Sequence, residues 1–171
     1  NLISAKLTPV LQDGKLIAVK SDQFKLEKDI QNIVEENSQE LFNLQLVKSE
    51  FSINNYRLDT LCFDQENNSF VIIEYKKGSS YSVIDQGYTY LSILLNNTSD
   101  FVLEYNETLN KNIKRDEIDW SQSKIIFISP KFSDYQKTSV NFKNLPFELW
   151  EVMRYKNNIL GLNKINTESE V

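Results

Sequence analysis

The sequence predicts an α/β domain, a mixed central β-sheet flanked by helices, and three observations carry that prediction. Phe70-Val71-Ile72-Ile73 and Ile125-Ile126-Phe127-Ile128 are short, unbroken apolar runs rich in β-branched residues, the mark of strands covered on both faces. Apolar residues at helical spacing precede, separate and follow these runs. The resulting order of helix, strands, helix, strand, helix, strand is that of a sheet with helices laid on it. With 171 residues, 40% of them hydrophobic, the chain suffices for one core of ordinary size, so a single domain is expected over 1–171.

Composition narrows the chemistry. The chain has no histidine and one cysteine, Cys62, which removes His-based nucleophile systems, the usual zinc ligands and an intrachain disulfide. Asp, Glu, Lys and Tyr are left to carry any reaction. A net charge of −5 argues against a sequence-independent DNA coat but leaves room for a local basic groove. No apolar run approaches the roughly 20 residues that span a bilayer, and no signal-peptide pattern opens the chain, so a cytoplasmic protein with no membrane partner is expected.

Taken in order, Leu2 to Lys20 reads as an accessory edge hairpin turned at Asp13-Gly14. A helix is expected from about Gln23 to Phe42, with Ser21 or Asp22 as N-cap and a stripe of Ile30, Ile33, Val34 and Leu41. Measured from Ile30, that stripe runs from about −60° to +40°; Glu27 projects at about 60°, Glu35 at about 140°, Glu36 at about 240° and Glu40 at about 280°. Glu27 thus borders the buried face, with Gln31 one turn on as a hydrogen-bond partner. The same position equally suits a carboxylate at a helix N-terminus, and periodicity does not choose between the two.

Leu44 to Ile53 and Leu58 to Asp64 follow as strands turned at Asn54-Asn55. In the second, Asp59 shares a face with Leu61 and Phe63. The central strand, Phe70 to Lys77, puts Phe70, Ile72, Glu74 and Lys76 on one side, with Glu74 and Lys76 about 7 Å apart at Cα. Charges that close an apolar run must be paired, bound to metal or set at a cleft. A helix from Ser82 to Leu95 places Gln86 and Tyr90 one turn apart. A helix over Asp100–Leu109, a strand over Lys124–Ser129, a helix over Phe132–Phe142 and a hairpin of Leu145–Tyr155 with Ile159–Ile165, turned at Lys156-Asn157-Asn158, complete the chain. Residues 166–171 read as a frayed tail.

Asp59 on one strand of a hairpin, Glu74-Tyr75-Lys76 on the next, a preceding helix with Glu27 and a following helix with Gln86-x-x-x-Tyr90 together resemble the PD-(D/E)XK nuclease superfamily. The resemblance covers roughly residues 24–95, which it implies to be a catalytic core. Arg57-Leu58-Asp59 looks like the R-I-D that opens the motif in several prokaryotic branches, with Leu58 where the name has proline. Gln86 and Tyr90 resemble the Q-x-x-x-Y feature of RecB-like branches, which lines the site beside DNA. Ile118-Asp119-Trp120 and Ser129-Pro130-x-Phe132 look like a bacterial branch of the superfamily.

The resemblance implies a restriction-endonuclease-like fold with accessory N- and C-terminal hairpins, and a Mg²⁺-dependent nuclease acting on DNA, with Mn²⁺ as a substitute. The residue types suit that chemistry, because Mg²⁺ takes oxygen ligands and needs one or two carboxylates. Asp59 and Glu74 fit the metal, and in the resembled family the carbonyl after the glutamate, here that of Tyr75, joins them. Lys76 would orient the attacking water or stabilise developing charge, Glu27 would complete the acidic cluster directly or through water, and Gln86 and Tyr90 would line the site. Lys77, Lys111, Lys114, Arg115 and Lys124 either form a phosphate-facing patch or remain solvated surface. Double-strand cutting would call for a second copy of the chain. The alternative is a module that keeps the fold and docks nucleic acid or a partner without chemistry.

Overall fold

A computed structural model of the chain describes residues 8–78 and 81–168. Its elements are β1 (Thr8–Gln12), β2 (Lys15–Val19), β3 (Ser21–Asp22), α1 (Glu27–Glu36), α2 (Ser38–Phe42), β4 (Gln45–Ile53), β5 (Tyr56–Asp64), β6 (Ser69–Tyr75), α3 (Val83–Asn96), α4 (Thr98–Leu109), β7 (Lys124–Ser129), α5 (Asp134–Ser139), β8 (Phe147–Tyr155) and β9 (Ile159–Lys164). The sheet runs β4-β5-β6-β7-β8, with β3 and β9 both paired to β8. The β6-β7-β8 centre is parallel, while β4-β5-β6 and β8-β9 are antiparallel, so the sheet is mixed as expected.

Alternation along β6 divides the interior in two. Phe70 and Ile72, with Leu61 and Phe63 of β5, pack under α3 and α4 against Tyr90, Leu94, Phe101 and Tyr105. Val71, Ile73 and Tyr75 turn to the other face, where Ile30 and Val34 of α1 cover them. All seven residues of β6 are buried, and Cys62 beside them is a free thiol that burial pushes up to about 12. Asp64 fixes the turn into β6 by accepting from the amides of Glu66 and Asn67 and from the Asn67 side chain. No helix among the described residues is long and apolar enough to cross a membrane.

Several boundaries differ from expectation. The first helix begins at Glu27, because Ser21 and Asp22 are not caps but pair as β3 with Tyr155 and Arg154 of β8. It also breaks at Asn37, whose side-chain amide donates to the carbonyl of Ile33. Its buried positions are Ile30, Gln31 and Val34, so the face is rotated toward Gln31 from the expected stripe, and Ile33 and Leu41 are only partly buried. The N-terminal hairpin forms a separate two-stranded sheet over Thr8–Val19, and residues 2–7 lie outside the described ones. The C-terminal hairpin is not an appendage, since β8 is a parallel neighbour of β7 within the main sheet. The helix expected over 132–142 is confined to Asp134–Ser139. The described part of the tail carries no regular element, although the amide of Glu168 donates to Asn141.

Candidate active site

Antiparallel register sets Asp59 against Glu74. The last paired rung of β5 and β6 is Thr60 with Ile73, and the next position brings the two acids opposite each other on one face of the sheet. There Asp59 Oδ2 accepts the amide of Tyr75 at 3.1 Å, and the charges of the two carboxyl groups act on each other. Burial holds both above the usual carboxylate range. For Glu74, desolvation first and the Asp59 charge second push the pKa to about 7 against the pull of Lys76; for Asp59, desolvation is the chief cause of the upward shift.

Lys76 follows the end of β6, where its amide donates to the carbonyl of Ile128, and its ammonium lies 3.2 Å from Glu74 Oε1. The expected sharing of a face by Glu74 and Lys76 is therefore realised as an ion pair. Gln86 of α3 donates to the same Glu74 Oε1 at 3.2 Å and meets Tyr90 OH at 3.0 Å. Tyr90 packs in the core with its hydroxyl in this network; burial raises its pKa, with Glu74 adding to the effect.

Glu27 stands exposed at the start of α1, where its Oε1 accepts the amide of Lys77 at 3.0 Å. Its negative charge reaches Asp59, yet among the described residues no three Asp, Glu or Cys side chains are grouped as for a metal ion. Gln31 does not bond Glu27. It is buried beneath Asp59, donating to the carbonyl of Asp59 at 3.1 Å, to Ser49 and to Glu35. Glu35 is half-buried and accepts Thr60 Oγ1 at 2.6 Å, while Thr60 Oγ1 lies 2.9 Å from Tyr75 OH. Because Thr60 has one proton and spends it on Glu35, Tyr75 must donate to Thr60. This chain of bonds escaped sequence reasoning, which put Glu35 at about 140°, outside the apolar stripe, and paired Gln31 with Glu27.

The donor set suits a hard divalent cation. Glu74 Oε2 is buried with no hydrogen-bond partner among the described residues, beside a second carboxylate, and both acids favour neutralisation by a cation. Tyr75 sends its N–H toward Asp59, and the carbonyl of a strand residue shares that edge. Arg57 pairs with Glu50.

The expected basic patch is not assembled at this site. Lys124 pairs in register with Val71, near the opposite end of β6, and forms one ion pair at 3.2 Å with Glu148. Arg115 sits at that same end, where its carbonyl accepts from Trp120, whose ring stacks on Phe70. Cationic side chains gather instead at the C-terminal ends of β6 and β7. Two adjoining cavities, of about 560 and about 350 Å³, share Lys77 and Lys131; Lys137 also lines the first and Arg154 the second. Neither is lined by Asp59 or Glu74, but both reach the site through Lys77, the residue after Lys76.

No family model matches the chain. A Haemophilus influenzae protein described as uncharacterised is 53% identical over 153 residues, covering 90% of this chain and 51% of the relative. The chain thus spans about half the length of the curated relative it matches. Among solved structures, a repair endonuclease from Pyrococcus abyssi overlaps 76% of this chain and 48% of its own at 16% identity, with a TM-score of 0.46. EndoMS in its apo form overlaps 85% of this chain and 64% of its own at 14% identity and a TM-score of 0.47. SfsA of Pyrococcus furiosus, solved with Ca²⁺, overlaps 95% of this chain and 77% of its own at 16% identity and a TM-score of 0.41.

Proposed function

We propose that the chain is a divalent-metal-dependent nuclease domain that hydrolyses phosphodiester bonds of DNA. The observation that carries the proposal is the opposed Asp59 and Glu74 pair, with the buried, partnerless Glu74 Oε2 and the Lys76 ammonium at its side. Mg²⁺ or Mn²⁺ would be held by Asp59, Glu74 and the Tyr75 carbonyl, with Glu27 contributing through water. When bound, the ion offsets phosphate charge and makes water more acidic.

The chain's own residues supply the rest. Asp59 is held by the Tyr75 amide, and Glu74 by Gln86, so both carboxylates are positioned before any ligand arrives. Lys76 shares Glu74 Oε1 with Gln86 and has further N–H donors free for a phosphate oxygen or for the attacking water. Lys77, Lys131 and Lys137 lie along the rim beyond Lys76 and favour a polyanionic backbone running over the C-terminal ends of β6 and β7.

The test is cleavage of linear, nicked, branched and single-stranded DNA with Mg²⁺ or Mn²⁺, paired with metal titration by calorimetry. Asp59→Asn and Glu74→Gln should each lose metal binding, and Lys76→Ala should lower cleavage about 100-fold or more. Glu36→Gln, on the solvated side of α1, should stay within about 2-fold. Cleavage that persists undiminished in the three site variants would overturn the assignment.

A further inference from the structure

Three residues of the site and its border carry a buried side-chain atom with no hydrogen-bond partner among the described residues: Glu74 Oε2, Gln86 Oε1 and the hydroxyl of Tyr81. The first two belong to residues that the sequence motif already singles out. Tyr81 does not, and nothing in its immediate sequence marks it. Its ring lies 5.1 Å from the Lys76 ammonium, so the cation is held between the Glu74 carboxylate on one side and an aromatic face on the other. Its backbone is anchored from across the molecule, since Gln136 of α5, itself 1% exposed, donates to the Tyr81 carbonyl at 3.2 Å. Gln136 is in turn fixed by its bonds with Ser133 in both directions. Tyr81 is therefore placed by α5 against the site.

A buried phenol with no partner is costly unless something completes it. The Glu74 carboxylate and the Tyr81 ring both lie against the Lys76 ammonium, and Gln86 donates to that carboxylate, so the partnerless acceptors and the partnerless phenol belong to residues linked through one network. Acceptors suit a cation and its water; the phenol O–H and the ammonium suit an anionic oxygen.

On the nuclease reading above, we propose that Tyr81 is a substrate-contacting residue. Its hydroxyl donates to a non-bridging phosphate oxygen of bound DNA, and its ring holds Lys76 in position for the same phosphate. The two roles separate by substitution. Tyr81→Phe keeps the ring and removes the donor; Tyr81→Leu removes both.

The probe is a fluorescently labelled DNA duplex, with binding read by anisotropy in Ca²⁺ and cleavage read in Mg²⁺. Tyr81→Phe should bind about 10-fold more weakly, the scale of one hydrogen bond to a charged group, with an unchanged melting temperature. Tyr81→Leu should add a fall in turnover of about 10-fold, because Lys76 loses its aromatic wall. A wild-type chain that cleaves, with Tyr81→Phe binding and cleaving equally well, overturns this proposal and leaves the nuclease reading standing. A wild-type chain that neither binds nor cleaves any DNA overturns both.

Discussion

Burial ties the ionisation of Glu74 to the stability of the fold. Its carboxyl titrates near 4.5 in an unfolded chain and at about 7 in the folded one, raised by burial and by Asp59. Between those values the folded protein holds a proton that the unfolded chain has released, so this contribution to stability is full below the unfolded value and is lost as pH rises through the folded one. Without divalent cation, stability in urea should therefore fall from about pH 5 to about pH 8, by on the order of 2 kcal/mol from this group. Asp59 shifts in the same direction. Glu74→Gln should flatten the profile, and a metal-free protein that gains stability over that range would contradict the burial argument. At this scale the sequence was informative wherever two residues share a strand or a helix turn: Glu74 with Lys76, and Gln86 with Tyr90, meet as spacing demands. Tyr81 was not legible, because Lys76 reaches it from just past β6 and Gln136 from α5, and neither contact leaves a local pattern.

Among the elements, α3 shows how closely a helix is set to the sheet. A glycine inside a helix costs about 1 kcal/mol against alanine, so Gly87 needs a reason. The reason is Phe147 of β8: a Cβ on Gly87 would come within 2.8 Å of its ring. Phe147 is 3% exposed and packed edge-on against Tyr88, so it has little freedom to give way. Gly87→Ala should thus destabilise the protein by about 1–3 kcal/mol in thermal or urea melts despite its gain in helix propensity. It should also weaken metal binding, because Gln86 would be levered from Glu74. A stabilised Gly87→Ala would mean that α3 has room to move. The first helix shows the limit of sequence reading at this scale. Counting Ile33 and Leu41 equally with Ile30 and Val34 drew the stripe away from Gln31 and Glu35, whose burial is set by polar partners on β4 and β5. Ser21 and Asp22 read as caps because their actual partners, Arg154 and Tyr155, lie far along the chain.

For the molecule as a whole, aromatic packing joins the sheet to α4. Phe101 is fully buried, with ring centroids 5.1 Å from Phe51 and 5.8 Å from Phe70. Phe101→Ala should cost about 3–5 kcal/mol. The β1–β2 hairpin stands apart, with Leu11 and Leu16 at 68% and 73% exposed. A two-stranded sheet adds little independent stability, so the double substitution of Leu11 and Leu16 by Ser should change unfolding free energy by no more than about 0.5 kcal/mol. Equal losses from the two changes would show that the hairpin shares the main core. Strand order, the mixed sheet and its two helical layers follow from runs and spacings in the chain. The place of β8 inside the main sheet does not, since a closing hairpin looks the same from sequence whether it is attached or integral.

Tyr75 joins the two sides of that sheet. Its amide restrains Asp59 on one face while its phenol, through Thr60, ends on Glu35 on the other. A ring buried away from the site is thereby tied to the carboxylate that would receive the ion. On the nuclease reading, the aromatic resonances of Tyr75 should shift when the site is filled, a report read from the face opposite the two acids.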